Sequence, residues 1–419
     1  MKLSKHTNLL QKLFYLFIVC SIAPPLYAKE HTFTITEQWF TQPTDHSSPQ
    51  EQTFKQQLIV LTPDQASKDS DILFILGNET DATKESLIKL YHAYGSPKDV
   101  TFIQAEHRGY GQSITQGPQA NPGYVSVESA LQDYNRVIHH LKQTYTGRWM
   151  AAGYSYGGAL AINFGHQFPN AVDAILASSA PIHWPFLIPQ YDQQVMKNLG
   201  SALVSRLHRH ASQLKPEKLY DQNWQDRELL TALTVALSQR SDSQHYKPYI
   251  NGLSFLPTSL FINFLHALLP EEAYTWSENR IAQSLSYEKA QTGEYNWYTW
   301  KYQQCNELGS FFAQGAFNYT QQDHINDCIA SFEKSPEYFN KEPWDVAGML
   351  DKLSIPAIVV SGGRDPWIQI GVQPDHSYSH IDYFYSENGH HCPDRESHKL
   401  GEKVFKALRA AAHYNQGNR

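Results

Sequence analysis

The chain has 419 residues and a formal net charge of −7, with 41% hydrophobic and 18% charged residues. This length allows one large domain with an insertion, or two domains, and the hydrophobic share supports a sizeable core. The sequence contains no basic block or stripe, so a nucleic acid partner is not expected. Although 20 His are present, no Cys/His spacing typical of a metal site stands out, so we expect no metal and no other cofactor.

The N-terminus has the pattern of a secretory signal peptide. Three Lys precede the apolar run at residues 13–20, and the small residue Ala28 closes the segment. We therefore predict a signal peptide at residues 1–28 and a secreted or periplasmic protein. The alternative is an uncleaved membrane anchor, but the run is short for a spanning helix, and no later stretch is long and apolar enough to span. Cleavage removes three Lys and no acidic residue, which lowers the formal net charge from −7 to −10.

The first part of the mature chain, residues 29–181, predicts a mostly parallel α/β sheet. Residues 29–62 alternate in places and predict an antiparallel start. Near-continuous apolar runs typical of strands buried on both faces follow at residues 71–76, 100–104, 149–152 and 174–177. Ser126 and Glu128 predict the beginning of an amphipathic helix between the second and third of these runs.

The strongest functional motif is Gly153-Tyr154-Ser155-Tyr156-Gly157-Gly158. It matches the nucleophile-elbow pattern G-x-S-x-G, which is weak alone but here lies between a predicted strand and a predicted helix. Ser155 is therefore the candidate nucleophile. The amide of Tyr156 would stabilise an oxyanion at the helix N-terminus, and Asn78, after the strand at 71–76, lies in the loop that supplies the second donor in such sites.

Residues 182–345 change character and predict a helical cap insertion over the active site. This segment is polar and aromatic-rich, with helix-like runs such as residues 195–210, and it lacks convincing buried strands. The strand pattern resumes at residues 355–360 and 383–385, and an amphipathic helix is predicted from about residue 395 to 414. We therefore assign residues 346–419 to the second part of the sheet domain.

Two further residues complete a candidate catalytic triad. Asp365 follows the apolar run at 355–360, and His390 follows the strand predicted at 383–385. The order Ser, acid, His is that of α/β-hydrolases, and each candidate lies where a strand ends. Spacing alone does not separate His390 from His391. Cys392 beside them has no separate base positioned for it.

Several motifs together resemble the prolyl carboxypeptidase and dipeptidyl peptidase II family of serine peptidases. They occur in order at residues 39–46 (W-F-x-Q-x-x-D-H), 77–79 (G-N-E), 106–113 (E-H-R-x-Y-G-x-S), 177–181 (A-S-S-A-P), 300–309 (W-x-Y-Q-x-C-x-E-x-G) and 365–367 (D-P-W), and at His390-His391 with Asp394. Because these motifs span nearly the whole mature chain, the likeness is more specific than any single motif. Two departures are Gly109, where the family often has an aromatic residue, and the final motif, which is usually H-H-x-D.

The resemblance implies an α/β-hydrolase with a helical cap and an exopeptidase that acts after proline. It implies Ser155 as nucleophile, Asp365 as acid and the first histidine, His390, as base. It also implies that Trp367 lines the pocket for the proline ring, since a flat apolar wall suits a pyrrolidine ring. Short peptides are the expected partners, and a homodimer is left open.

The resemblance further implies a disulfide between Cys305 and Cys328, which an oxidising compartment would permit. The sequence does not decide which end of the peptide the site recognises. The enzyme could therefore be a carboxypeptidase, a dipeptidyl peptidase or an endopeptidase. Glu79 is a candidate for binding a substrate amine, or alternatively a buried structural carboxylate paired with Arg108. Other functions for the same fold are an exported esterase or lipase and a catalytically silent binding protein.

Overall fold

The computed structural model describes residues 32–115, 122–215, 217, 222–241, 244–268, 296–312, 320–374 and 380–414. By its internal contacts the chain divides into Met1–Thr32 and Phe33–Arg419. The described strands and helices all lie in the second unit. The predicted signal peptide at residues 1–28 lies outside the described residues.

A mostly parallel sheet forms the centre of the described part of the chain. The strands are β1 (Phe33–Pro43), β2 (Thr53–Pro63), β3 (Asp71–Leu76), β4 (Val100–Ala105), β5 (Trp149–Tyr154), β6 (Ala174–Ser178), β7 (Leu187–Ile188), β8 (Phe311–Phe312), β9 (Ala357–Gly362) and β10 (Ile381–Ser386). Eight of them form one sheet in the order β1-β2-β4-β3-β5-β6-β9-β10. The β1–β2 and β2–β4 pairs are antiparallel and the other pairs in this sheet are parallel, which confirms the predicted sheet and its antiparallel start.

Helices connect these strands and lie outside the sheet. They are α1 (Lys84–Ala93), α2 (Val127–Leu141), α3 (Tyr156–Gln167), α4 (Pro189–Leu199), α5 (Ser201–Gln213), α6 (Gln222–Gln239), α7 (Lys247–Leu253), α8 (Thr258–Leu268), α9 (Asn296–Gln303), α10 (Gln321–Phe332), α11 (Val346–Asp351), α12 (Pro393–Glu396) and α13 (His398–Tyr414). A π-helical turn, Gln304–Leu308, follows α9 directly. The predicted cap at the start of α2 is present, since the Ser126 side chain accepts a hydrogen bond from the Ser129 amide.

The sheet is covered by helices on both faces, which explains its apolar strands. On β3, Phe74 packs into a cluster with residues of α2 and α3, whereas its neighbour Leu73 packs into a second cluster with residues of α1 and α13. Successive side chains of a strand point to opposite faces, so both sets must be apolar. The strands β3, β5, β6 and β9 are accordingly buried along their whole length. This is the α/β-hydrolase architecture that the sequence predicts.

The segment between β6 and β9 is mainly helical where it is described. The run at residues 195–210 is not one helix, because Gly200 has a φ of 87° and separates α4 from α5. The C-terminal helix predicted from residue 395 is likewise interrupted at Ser397. The two-residue strands β7 and β8 also pair within this segment. The boundaries of the cap at residues 182 and 345 stay a prediction.

None of the helices described has the length and apolar character needed to cross a membrane.

Candidate active site

Ser155 occupies the tight turn between β5 and α3 in the conformation expected of a nucleophile elbow. Its φ is 56° and its ψ is −126°, a backbone region that residues other than glycine rarely adopt. The Ser155 amide donates a 2.9 Å hydrogen bond to the Ser178 carbonyl at the end of β6. A Cβ placed on Gly153 would lie 1.8 Å from the Gly157 carbonyl oxygen, so the first glycine of the motif is required for this turn.

The predicted oxyanion donors lie on either side of this turn. Tyr156 is the first residue of α3, so its amide is at a helix N-terminus. A Cβ placed on Gly157 would lie 3.4 Å from the Cβ of Asn78, which shows that the loop after β3 packs against the start of α3. The side-chain oxygen of Asn78 accepts hydrogen bonds from the amide and hydroxyl of Thr80. The Asn78 side chain therefore shapes its own loop, and the role of this loop in binding an oxyanion stays a prediction.

The histidine that contacts Asp365 is His391, not the His390 that the resemblance favours. The Nδ1 atom of His391 lies 2.7 Å from Oδ2 of the buried Asp365, whose Oδ1 accepts a hydrogen bond from the Trp367 amide. The backbones of the two histidines have different neighbours. The His390 carbonyl packs against the end of β9, where it lies 2.2 Å from the position of a Cβ on Gly362. The His391 amide donates to the carbonyl of Gln239 at the end of α6.

The sequence did contain a signal for this choice. In the family pattern H-H-x-D the first histidine lies three residues before the acid. Here the residue three before Asp394 is His391, and Cys392 occupies the second histidine position. Counting back from Asp394 would therefore have selected the histidine that the structure places on Asp365.

The electrostatic surroundings of His391 favour its charged form. Burial alone would lower the pKa of this imidazole, but the Asp365 carboxylate and Cys392 outweigh it, and the pKa lies well above its ordinary value. A carboxylate on Nδ1 also fixes the tautomer in which Nε2 is free to accept a proton.

Sheet topology places the serine and the histidine at one edge. Ser155 follows β5, Asp365 follows β9 and His391 follows β10, and β5, β6, β9 and β10 are parallel neighbours. The Ser178 carbonyl at the end of β6 contacts both the serine turn and the segment after His391. It accepts a hydrogen bond from the Ser155 amide and lies 3.8 Å from Sγ of Cys392. The topology therefore brings the candidate serine, acid and histidine to one edge of the sheet.

Arg108 forms a buried ion pair with Asp133, whereas the sequence offered Glu79 as its partner. Both side chains are fully buried, and Nε and Nη2 of Arg108 each lie 2.7 Å from a carboxylate oxygen of Asp133. The guanidinium also donates to the carbonyls of Pro43, Thr44 and Tyr124. This ion pair fastens the loop after β4 to α2 beneath the site.

A second buried carboxylate shapes the same loop. Glu106 accepts hydrogen bonds from the amides of Ala82, Gln112 and Ser113 and from the Ser113 hydroxyl. Burial raises the pKa of Glu106 to about 7, although these donors oppose the shift. The carboxylate approaches Gly111 so closely that a Cβ there would lie 1.9 Å from Oε1, and the φ of Gly111 is 51°.

The side chain of Tyr156 connects the elbow to the helical segment. Its hydroxyl lies 3.1 Å from the side-chain nitrogen of Gln303 and 3.2 Å from Nε2 of His107. Its ring packs against Trp184, Trp300 and Trp344. Sequence patterns assign no role to Gln303, because the contact joins positions 147 residues apart.

The two predicted substrate-binding residues lie on opposite sides of the elbow. Trp367 is largely buried and packs edge-on against Tyr191 of α4, with ring centroids 5.4 Å apart. Glu79 is half-buried in the loop after β3, and its charge adds to burial in raising the pKa values of Tyr110 and Tyr156. These positions leave the predicted roles of Trp367 and Glu79 as proposals.

The three cysteines in the described part of the chain divide into a pair and a single thiol. Cys305 in the π-helical turn and Cys328 in α10 form a disulfide bond. Cys392 is a buried free cysteine directly after His391.

Comparison with known proteins shows a likeness to one family over part of the chain. The family model described as serine carboxypeptidase S28 matches residues 42–214, a region that contains Ser155 and the elbow. Within this region, which is less than half of the chain, the sequence is similar to that family of serine peptidases. The S28 match ends before Asp365 and His391, so these two residues lie outside it.

Curated relatives differ in how much of this chain they align with. The human "Lysosomal Pro-X carboxypeptidase" is 25% identical, over 86% of this chain and 84% of the relative. The bovine protein of the same name is 34% identical, but over only 33% of this chain and 30% of the relative. Among solved structures, a proline iminopeptidase from Mycobacterium smegmatis is 14% identical and covers 90% of this chain and 99% of that one, with a TM-score of 0.40.

Proposed function

We propose that this protein is a serine carboxypeptidase that hydrolyses the bond on the C-terminal side of proline in short peptides. The observation that carries the proposal is the 2.7 Å contact between Asp365 and His391 at the sheet edge that also holds the Ser155 elbow. The likeness of residues 42–214 to the S28 family supports peptide rather than ester substrates.

In the proposed mechanism His391 acts as general base through Nε2. It takes the proton from Ser155 Oγ as this oxygen attacks the scissile carbonyl carbon. The amide of Tyr156 and a donor from the Asn78 loop stabilise the oxyanion. His391 then gives its proton to the leaving amine, an acyl-enzyme forms on Ser155, and a water molecule activated by the same histidine hydrolyses it. Asp365 keeps the tautomer and stabilises the imidazolium.

Trp367 is proposed to bind the proline ring. Its amide donates to Asp365 and its ring is fixed by Tyr191, so the indole is rigidly placed next to the catalytic acid. A preorganised aromatic wall suits a small apolar ring. The words "Pro-X carboxypeptidase" in the names of relatives agree with this assignment.

We also propose that the protein is exported. The signal pattern at residues 1–28 supports export, and the disulfide between Cys305 and Cys328 suits an oxidising compartment. The relatives are named as lysosomal proteins, which also lie outside the cytosol.

The test is digestion of a library of short proline-containing peptides by the mature protein, with mass spectrometry of the products. Peptides ending in Pro-X should lose X alone. Release of N-terminal X-Pro dipeptides would instead assign a dipeptidyl peptidase, with Glu79 as the group that binds the substrate amine. Turnover of p-nitrophenyl esters without cleavage after proline would contradict the proposal and favour an esterase. A Ser155→Ala variant is the control for contaminating peptidases.

A further inference from the structure

We propose that Asp394 is a positioning residue. Through Ser178 it fixes the nucleophile elbow relative to the histidine loop, the segment of residues 391–394. This inference rests on the proposed function, because it concerns the same Ser155 site. The group that carries it, the Asp394 network, consists of Asp394, Ser178, Tyr94 and Tyr154.

The contacts of Asp394 lead to both sides of Ser155. Asp394 is fully buried, and one carboxylate oxygen accepts a hydrogen bond from the Ser178 hydroxyl while the other accepts one from Tyr94 at 2.8 Å. The Ser178 carbonyl accepts the Ser155 amide. The Tyr94 hydroxyl lies 2.6 Å from the hydroxyl of Tyr154, which directly precedes Ser155. The Asp394 carboxylate thus fixes Tyr154, through Tyr94, and Ser178, whose carbonyl binds the Ser155 amide.

Asp394 also belongs to the histidine loop, three residues after His391. The segment is fastened a second time by the Cys392 amide, which donates a 2.8 Å hydrogen bond to the hydroxyl of Ser179. The Ser179 amide in turn donates to the Val360 carbonyl of β9, the strand that leads to Asp365. The serine pair at the end of β6 therefore contacts the nucleophile side, the acid strand and the histidine loop together.

Backbone strain is concentrated at this junction. Ser155, Ser179 and Cys392 have φ values of 56°, 48° and 53°. Such conformations are unfavourable for residues with a side chain and persist only where the surroundings hold them. The buried hydrogen bonds of Asp394 provide that restraint, and burial raises the pKa of the Asp394 carboxyl against the donors that face it. Loss of Asp394 should therefore let the elbow relax.

The experiment measures labelling of Ser155 by a fluorophosphonate ester that carries a fluorophore. Ser155 Oγ forms a bond to phosphorus, fluoride leaves, and the hydroxyl proton passes to His391. Two parameters are compared for each variant, the maximal labelling rate and the probe concentration at half-maximal rate. Folding is checked by circular dichroism and by the melting temperature.

Asp394→Ala should lower the maximal labelling rate about 10²-fold, while the half-saturating concentration changes less than about threefold, because misplacement of reacting groups affects the chemical step. Asp394→Asn keeps an acceptor for Ser178, so its maximal labelling rate should be about tenfold higher than that of Asp394→Ala. Ser178→Ala removes only one of the two hydrogen bonds of Asp394 and should lower the maximal labelling rate by no more than Asp394→Ala does. The double variant should be no slower than Asp394→Ala, since that change already removes the bond to Ser178.

Ser238→Ala is the matched control. Ser238 is an equally buried serine whose hydroxyl donates within α6, so its loss should leave both labelling parameters unchanged. If Asp394→Ala does not fold, Asp394→Asn and Ser178→Ala carry the test. Folded variants that label at the wild-type maximal rate, or that change only the half-saturating concentration, would overturn the inference. Wild-type protein that labels no faster than Ser155→Ala would instead refute the proposed function.

Discussion

Oδ2 of Asp365 lies 2.7 Å from Nδ1 of His391, although the two residues are 26 positions apart in the chain. The carboxylate is buried, and it is also held by the Trp367 amide. This geometry makes the choice between the two adjacent histidines testable.

His391→Ala should lower kcat/KM for a Pro-X peptide by about 10⁴-fold, because the general base is lost. His390→Ala should stay within about tenfold of wild type, since its neighbour supplies the contact with Asp365. The two rates are measured with the same peptide at the same pH. A larger loss for His390→Ala than for His391→Ala would reverse the assignment.

Activity should rise with pH through a midpoint above the ordinary histidine value. In the proposed mechanism the neutral form of His391 is the base. Its pKa is raised well above 6.5, so the imidazolium present at lower pH cannot accept the serine proton. Asp365→Asn removes the carboxylate but leaves the burial, which lowers the pKa. In this variant the rise of activity with pH should therefore occur at lower pH, and the maximal rate should fall about 10⁴-fold. The labelling rate by a neutral fluorophosphonate, measured across the pH range, checks both effects. An unmoved limb in Asp365→Asn would contradict the coupling.

Trp367→Ala should raise KM for Pro-X peptides more than it lowers kcat, if the indole binds the proline ring. Trp367→Phe keeps an aromatic wall and should restore most of the affinity. The comparison substrate is an Ala-X peptide of equal length, whose lower affinity should change little. An equal loss for both peptides would mean that the indole serves only to pack against Tyr191.

Asp133→Asn should destabilise the fold by about 3–5 kcal/mol, because it leaves the buried guanidinium of Arg108 without its counter-charge. The measurement is urea unfolding at neutral pH. Lys406→Ala is the control, since it breaks an exposed ion pair with Glu402 and should not change the unfolding midpoint measurably. A loss for Asp133→Asn no larger than that of this control would contradict the structural role of the pair.

Loss of the Cys305–Cys328 disulfide should cost about 2–5 kcal/mol of stability. Reducing agent should lower the melting temperature of the wild-type protein and leave that of the Cys305→Ser/Cys328→Ser double variant unchanged. Native protein without the predicted signal peptide, and therefore without Cys20, should not react with an aromatic disulfide reagent in the absence of reductant, because Cys392 is buried. Rapid reaction of one thiol would contradict that burial.

Much of the architecture was predictable because it depends on local patterns. Five near-continuous apolar runs corresponded to β3, β4, β5, β6 and β9, since strands covered on both faces carry apolar side chains on both. The elbow was readable because its glycines are required by contacts within a few residues, as the approach of Gly153 to Gly157 shows. Helix breaks were predicted less well, because residue 200 is one glycine within an otherwise continuous apolar period.

The sequence by itself determined the fold class, the elbow at Ser155 and the position of Asp365 after an apolar strand. Each of these follows from composition and periodicity within a short stretch. Only the tertiary structure decided that His391 and not His390 contacts Asp365, and that Asp133 binds Arg108. The physical reason is that the direction of adjacent side chains depends on backbone angles set by distant hydrogen bonds, such as that from the His391 amide to Gln239. No local pattern specifies those partners.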